Sequence, residues 1–460
     1  MQFDPGRAEH RFGYGRSPVV APPASLDAML SGLTAPDIAA ENYPLPDWAH
    51  FQSALAHRRR FLQFARQNRG TEKGKEARET AQRALREARR DQAKWFVQMQ
   101  LRRITTPHAF RERLVAFWAD HFTALGKNPI LRLATPAYIE EAIRPHIAGS
   151  FADLLRAAIT HPLMLQALDQ YTSMGPNSVA AKRREDGRGL NENLAREVLE
   201  LQTLGVTGPY SQTDVTELAK LFTGLSTTRE MSFHFRPNLA EPGSERVLGR
   251  TYGPERSLEP INAALNDIAL HPATAAHIAR KLVVHFVSDQ PPAALVTQVT
   301  EAYETSGGDL LACYQALLGH PAAWQSDAPN IRPPDEFIST ALRTLGIAPN
   351  RLTPFSPRAV RDLFFRPLAL MGQPWLRPSG PDGFAEEDAA WVTPQGISAR
   401  LDWAMNAPAR LLDEMPEPEA MLAQTLGKAP PAKLIFAVKN AENRRIALGL
   451  ILASPAFQRR

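Results

Sequence analysis

A single cysteine, Cys313, stands in 460 residues. That excludes an intramolecular disulfide framework and a cysteine-rich zinc site. Its context, LLACYQALL, is apolar with helical period, which predicts a buried, unreactive thiol. No stretch approaches the ~20 apolar residues that cross a bilayer. The opening residues, MQFDPGRAEHRFGYG, hold neither an apolar leader core nor paired arginines. Cytoplasmic residence is therefore the default expectation, with export alongside a partner as the alternative. Nucleophile and nucleotide signatures are missing too: there is no GxSxG and no Walker-type glycine run. HExxH and paired ExxH, which put two ligands on one helix face, are also missing. His277 and His285 are eight apart, about 12 Å along a helix. A metal site would have to be assembled across helices, so no metal ligand is assigned and the cofactor is left unknown.

Charge is unevenly spread. Residues 58–90 hold twelve Lys/Arg and four Asp/Glu, a local +8 that leaves −3 for the rest of a chain with net +5. The spacing predicts a helix over residues 51–67, a break at Asn68-Arg69-Gly70, and a long Ala/Arg/Glu helix over residues 71–104. Ala77, Ala81, Ala84 and Ala88 form only a thin apolar stripe. The pair reads as a solvated antiparallel arm. Its rival reading is a surface for acidic partners or nucleic acid. Aromatic residues are not interleaved as stacking on single strands requires, which argues against nucleic acid.

Much of the remaining chain has helical period. A 44% hydrophobic content supports a sizeable core. The expected fold is mainly α, an irregular multi-helix bundle with one small β-hairpin pairing residues 231–235 with 247–251, and a loop-rich C-terminal portion. Four segments are expected: an irregular 1–50, the basic arm 51–106, a helical core 107–326, and a C-terminal part 327–460 of the same unit. His161-Pro162, His271-Pro272, His320-Pro321 and Ser454-Pro455 each precede an apolar segment and read as helix starts. Ser211 and Asp214 have capping-box spacing. Residues 374–394 are irregular, yet Trp375, Phe384 and Trp391 favour a packed, functional loop over a disordered one.

Residues 191–205, NENLAREVLELQTLG, are the most informative stretch. Helical spacing aligns Asn193, Glu197 and Glu200 on one stripe, and Leu194, Val198 and Leu201 on the next. Glu192 and Arg196 have ion-pair spacing. Two chemical readings follow. Glu197 and Glu200 could hold different pKa values and, with His121, carry acid–base catalysis. Alternatively Glu197, Arg196, Asn193 and His121 form a satisfied network that ties helices together. In that case Glu197→Ala should destabilise by more than ~1 kcal/mol, because a buried Arg196 or Arg280 loses its counter-charge. The polar, charged residues 174–189 lead into this helix. A ligand is expected to enter there, with first proteolysis at residues 182–188 and with His121 and residues 271–285 as the opposite wall.

The same stretch, followed by YSQTDVTELAKLFTG, resembles the core motif of the bacterial domain of unknown function family 1800. RFGYG, FWADHF, VLGRTYG, HPATAAHIARKLVVHFV, SGGDL and the final ILASPAFQRR extend the resemblance over nearly the whole chain. It implies a family without a known reaction. The positions similar to the family's are His121, Asn191, Glu192, Asn193, Arg196, Glu197, Glu200, Asp214, His271, Arg280, Lys281 and His285; of these His121, Glu197 and Glu200 are the catalytic candidates, and Asn191, Glu192, Asn193, Arg196, His271, Arg280, Lys281 and His285 the binding candidates. In relatives a histidine often stands beside an acidic residue before the LG hairpin, whereas here Ala240 precedes Glu241. Members often occur beside a second uncharacterised family, numbered 1501, similar to the sulfatase and alkaline phosphatase superfamily. The leading expectation is an accessory or binding protein acting with such a partner. The alternative is a hydrolase-type enzyme using a Glu/His/Arg/Asn site on the 191–200 helix, with a metal-dependent form of it as a variant.

Overall fold

Apolar residues and arginines fill AFRERLVAFWADH, and the helix they form, Ala109–His121, is buried on almost every side. Helices buried all round belong at the centre of a large fold. Two further helices, Pro272–Phe286 and Pro334–Thr344, meet it there. Phe110 packs edge-on against Phe286 at 5.5 Å, and Arg113 lies 2.7 Å from Glu336. The computed structural model describes residues 3–183, 189–325, 330–427 and 430–460. The architecture is mainly helical, with two small two-stranded antiparallel sheets among the described residues. One apolar cluster runs through it from Ala8 to Phe457. Among the described residues no helix is long and apolar enough to cross a membrane.

Local start signals are met by hydrogen bonds. Ser211 and Asp214 form the full capping box of Gln212–Leu221. His161, His271 and His320 each turn Nδ1 onto the N–H two residues on, at 3.1, 3.0 and 3.1 Å, and Ser454 Oγ accepts from Phe457. Proline in the first turn removes a donor that has no helical acceptor anyway. Asp309 caps Leu310–Gly319 in the same way, and Cys313 within that helix is fully buried. Burial, then Asp309, pushes the Cys313 thiol up to about 12, where it is inert.

Three elements differ from expectation. Residues 231–235 and 247–251 do not pair with each other: Phe233–Phe235 pairs with Leu225–Thr227, and Glu245–Val247 with Arg250–Tyr252. Each strand takes the neighbour that a short turn supplies, and LST is too short to show a period of two. Residues 1–50, expected to be irregular apart from a helix near residues 26–32, hold that helix as Leu26–Ser31 and two more capped helices, Pro5–Phe12 and Ile38–Asn42, and Phe12 and Tyr14 are core residues. The C-terminal portion, expected to be loop-rich, carries further helices, among them Pro357–Val360, Arg366–Leu370 and Ala432–Lys439. The cleavage expected at residues 182–188 falls largely on 184–188, which lie outside the described residues.

The basic arm is the antiparallel pair Trp48–Gln67 and Glu72–Thr105. Phe51 meets Trp95 at 5.3 Å near its root, while Ala65, Ala77 and Ala81 supply the buried side chains farther out. Deleting residues 59–87 behind a short Gly/Ser bridge shortens both helices at matched heights and keeps Phe51, Leu55 and Trp95. The product should remain soluble and melt cooperatively, losing less than about 3 kcal/mol. Aggregation or loss of the melting transition would place the arm inside the cooperative core.

Candidate functional site

A cleft of about 120 Å³ lies between the central helices and residues 374–394. Phe117, Ile139, Met99, Trp375 and Trp391 supply apolar wall. Six carboxylates line it: Glu112, Asp120, Glu140, Asp335, Glu336 and Glu386. Four are matched by arginine. Arg144 grips Glu112 at 2.7 and 2.9 Å, and Arg102 holds Glu140 at 2.8 Å. Arg103 holds Asp335 at 2.6 Å, and Arg113 lies 2.7 Å from Glu336. Asp120 and Glu386 differ, because among the described residues neither has a lysine or arginine at ion-pair distance. Asp120 accepts the Phe384 backbone N–H at 3.1 Å on both oxygens. Glu386 meets His285 Nδ1 at 2.9 Å.

The proton on His285 is placed by its other neighbour. Arg113 Nη2 lies 3.2 Å from His285 Nε2, and a guanidinium only donates. Nε2 therefore accepts, and Nδ1–H donates to Glu386. Burial, then Arg460, Arg113 and Lys281, hold the imidazole well below its ordinary range, so it is neutral. Burial pushes Glu386 up to about 7 against the pull of Lys281 and Arg113. Asp120 is also pushed up to about 7, first by burial and then by the charge of Glu386. Two carboxylates that feel each other titrate as a pair. Near neutral pH such a pair holds a proton that one member can give while the other accepts.

Residues 374–394 bring Glu386 and the Phe384 N–H to this place. Gly383 lets the backbone pass Asp120: its φ is +80°, and a Cβ there would stand 2.6 Å from Asp120 Oδ2. Only glycine combines that conformation with that approach. Asp388 accepts from the Ile331 N–H at 2.6 Å, and its own N–H donates to Asp289 at 2.7 Å, tying down the far end of the segment.

The 191–205 stretch is built differently. Asn193–Glu197 is a short α-helix, and Val198–Gln202 widens into a π-turn. The extra residue rotates the register, so Leu199 and Gln202 are buried where Leu201 was expected. Arg196 spans Glu192 and Glu200 at 3.2 Å each, with all three side chains about a third exposed (38%, 30% and 28%). Thr216 and Gln212 complete the set around Glu192 at 2.7 and 2.9 Å. Asn191 packs inward, donating to the Leu168 carbonyl at 2.9 Å, while Asn193 is exposed. Glu197 has no ion-pair partner among the described residues. Burial, then Glu200 and Asp382, push its carboxyl up to about 6. The expected Glu197 pairing with Arg196 or Arg280 is thus not formed, because Arg196 is occupied on the surface and Arg280 is exposed.

His121 meets the other end of this stretch. Its Nε2 lies 3.1 Å from the Gln202 carbonyl, and His277 Nε2 lies 3.2 Å from that of Leu201. These carbonyls end the π-turn without helical donors, and two neutral imidazoles satisfy them. Burial, then Lys281, holds His121 well below its ordinary range and His277 at about 4. His271 caps its helix as described above. Lys281 is half-buried, and its charge acts on Asp120, His121, His277, His285 and Glu386 alike. Among the described residues no three His, Cys, Asp or Glu side chains converge as a metal-ligand set.

A family model described as "Protein of unknown function (DUF1800)" matches residues 7–459. The chain belongs to this family. No curated protein and no solved structure matches it. Within the DUF1800 match, FWADHF holds both His121, anticipated from the sequence, and Asp120, which was passed over beside it. Glu386 was missed as well. The available signal was the EED run set among aromatic residues in a long irregular segment.

Raised carboxyl pKa values have a definite sign in stability. Asp120 holds its proton more tightly folded than unfolded, so its contribution is full below about pH 4 and is lost as pH rises through 7. Asp120→Asn should therefore gain on the parent from about pH 4 upward, levelling above pH 7 at about 1–3 kcal/mol. Glu197→Gln should follow the same sign, by under about 1 kcal/mol because its site is partly solvated. Urea melts between pH 4 and 8.5 measure both. Variants less stable than the parent at pH 8 would contradict this reading.

Proposed function

We propose that this DUF1800 protein is an acid–base enzyme of the hydrolase type, with Asp120 and Glu386 as its proton-transfer pair. The observation that carries the reading is selective: four cleft carboxylates are paired with arginines, while Asp120 and Glu386 have none among the described residues and burial pushes them up to about 7. The protonated member would give its proton to the leaving group, while the ionised member takes one from the attacking water. His285 cannot serve as the base, since Arg113 occupies Nε2. It positions Glu386 instead. Lys281 supplies positive potential for charge that develops in the cleft, and the aromatic walls exclude bulk water.

The test is a panel of chromogenic carboxylic, phosphoric and glycosidic esters, with Asp120→Asn and Glu386→Gln beside the parent. At least one class should be hydrolysed, with a pH optimum near 7 and a loss of about 10²–10⁴ in kcat for each variant. A parent that hydrolyses none of them, or variants that match it, would remove the proposal.

A partner-binding role has its own support. The Glu192–Arg196–Glu200 network fixes charge of both signs on the surface, and exposed Arg280 adds a further cation. Such an arrangement suits a docking face better than a reaction centre. A protein of the 1501 family is the partner that the family resemblance implies. Arg196→Ala should weaken co-purification with a co-expressed 1501 protein while shifting stability by under about 1 kcal/mol. Undiminished capture would remove this face from consideration.

A further inference from the structure

A second depression, of about 540 Å³, lies where the root of the basic arm meets the helices near residues 357–365. Five arginines line it: Arg89 from the arm, Arg132, Arg358, Arg361, and Arg377 from the 374–394 segment. Arg89, Arg132 and Arg377 make no side-chain ion pair or hydrogen bond among the described residues. Arg358 and Arg361 reach one carboxylate, Asp362, at 3.6 and 3.0 Å, and share it with Arg366 at 3.5 Å. Five arginines thus line one depression, and among the described residues Asp362 is the one carboxylate they pair with. Partial burial, then Arg89 and Arg132, lower the Arg377 guanidinium from its ordinary range, the signature of cations brought together.

Apart from Gln92, the rest of the wall is apolar. Phe365 lines it and is backed by Trp375, stacked at 5.5 Å with 14° between the rings, and Leu133 lies in the same wall. Guanidinium forks match phosphate oxygens in pairs, and an adjoining ring suits the organic part of a phosphate ester. The volume falls within the roughly 300–1,000 Å³ usual for small-molecule sites.

We infer that this depression binds a phosphate-bearing small molecule, gripped by Arg89, Arg132 and Arg377 and supported by Phe365. The inference is independent of the Asp120–Glu386 cleft, and it gives the root of the basic arm a specific task. A soluble phosphate ester and a lipid headgroup share this chemistry, and the arms of the test separate them.

The full chain is titrated calorimetrically with pyrophosphate, ADP and adenosine, and by sedimentation with phosphatidylcholine vesicles with and without phosphatidic acid. Saturable binding of pyrophosphate and ADP, but not adenosine, is expected. The triple variant Arg89→Gln/Arg132→Gln/Arg377→Gln should weaken it at least about tenfold. Arg86→Gln, on the same arm outside the depression, should leave it unchanged. Arg132→Gln alone, at an exposed position, should weaken it in the same direction and covers a triple variant that melts early. Binding only to phosphatidic acid vesicles, lost in the same variants, assigns the site to a lipid phosphate. No saturable binding of any phosphate probe, or binding that survives the triple variant, overturns the inference.

Discussion

The buried guanidinium of Arg113 is the group on which the centre of this protein depends. Its Nη1 lies 2.7 Å from Glu336 and donates to the Gly13 carbonyl at 3.2 Å, and its Nη2 donates to His285. The rings of Tyr14 and Phe286 lie 5.7 and 5.5 Å from it. A charge taken so far from water must have its donors met. Meeting them draws together the RFGYG segment, the Ala109–His121 helix, the Pro272–Phe286 helix and the Pro334–Thr344 helix. The tautomer of His285, and through it the setting of Glu386, follows from the same contact.

A chain of dependence then runs outward. His285 holds Glu386, the segment carrying Glu386 offers the Phe384 N–H to Asp120, and Gly383 allows that approach. Burial keeps the Asp120 and Glu386 carboxyls raised, and among the described residues no arginine pairs with either to bring it down. The Lys281 charge acts on Asp120, His121, His277, His285 and Glu386, and among the described residues it forms an ion pair with none of them. The result is a small cleft in which proton affinity is set near neutrality by exclusion rather than by a bonded partner.

Local features were legible in the sequence. Helix starts at His161, His271, Ser211 and Ser454, the antiparallel arm, the buried thiol of Cys313 and the packed character of residues 374–394 all follow from spacing and side-chain chemistry. What failed to show was non-local or broke the regular period. The π-turn at Val198–Gln202 shifts a register that 3.6-residue periodicity assumes, so Leu199 replaced Leu201 in the core. Strand partners were misassigned because three-residue strands carry almost no pattern. Asp120 and Glu386 are 266 positions apart by their numbers, and nothing local marks either as unpaired. The visible carboxylates at Glu192 and Glu200 are those the structure neutralises with Arg196. Glu197, by contrast, was visible, but its lack of a partner was not.

Carboxyl-carbon NMR titration of the protein labelled at Asp and Glu side chains tests the central claim most directly. Asp120→Asn and Glu386→Gln assign the two signals by their disappearance. Midpoints near pH 7, with each curve altered when the other carboxyl is removed, are the predicted result. Two independent midpoints below about 5, in the ordinary carboxylate range, would mean that the cleft holds a pair of solvated anions and no proton-transfer pair.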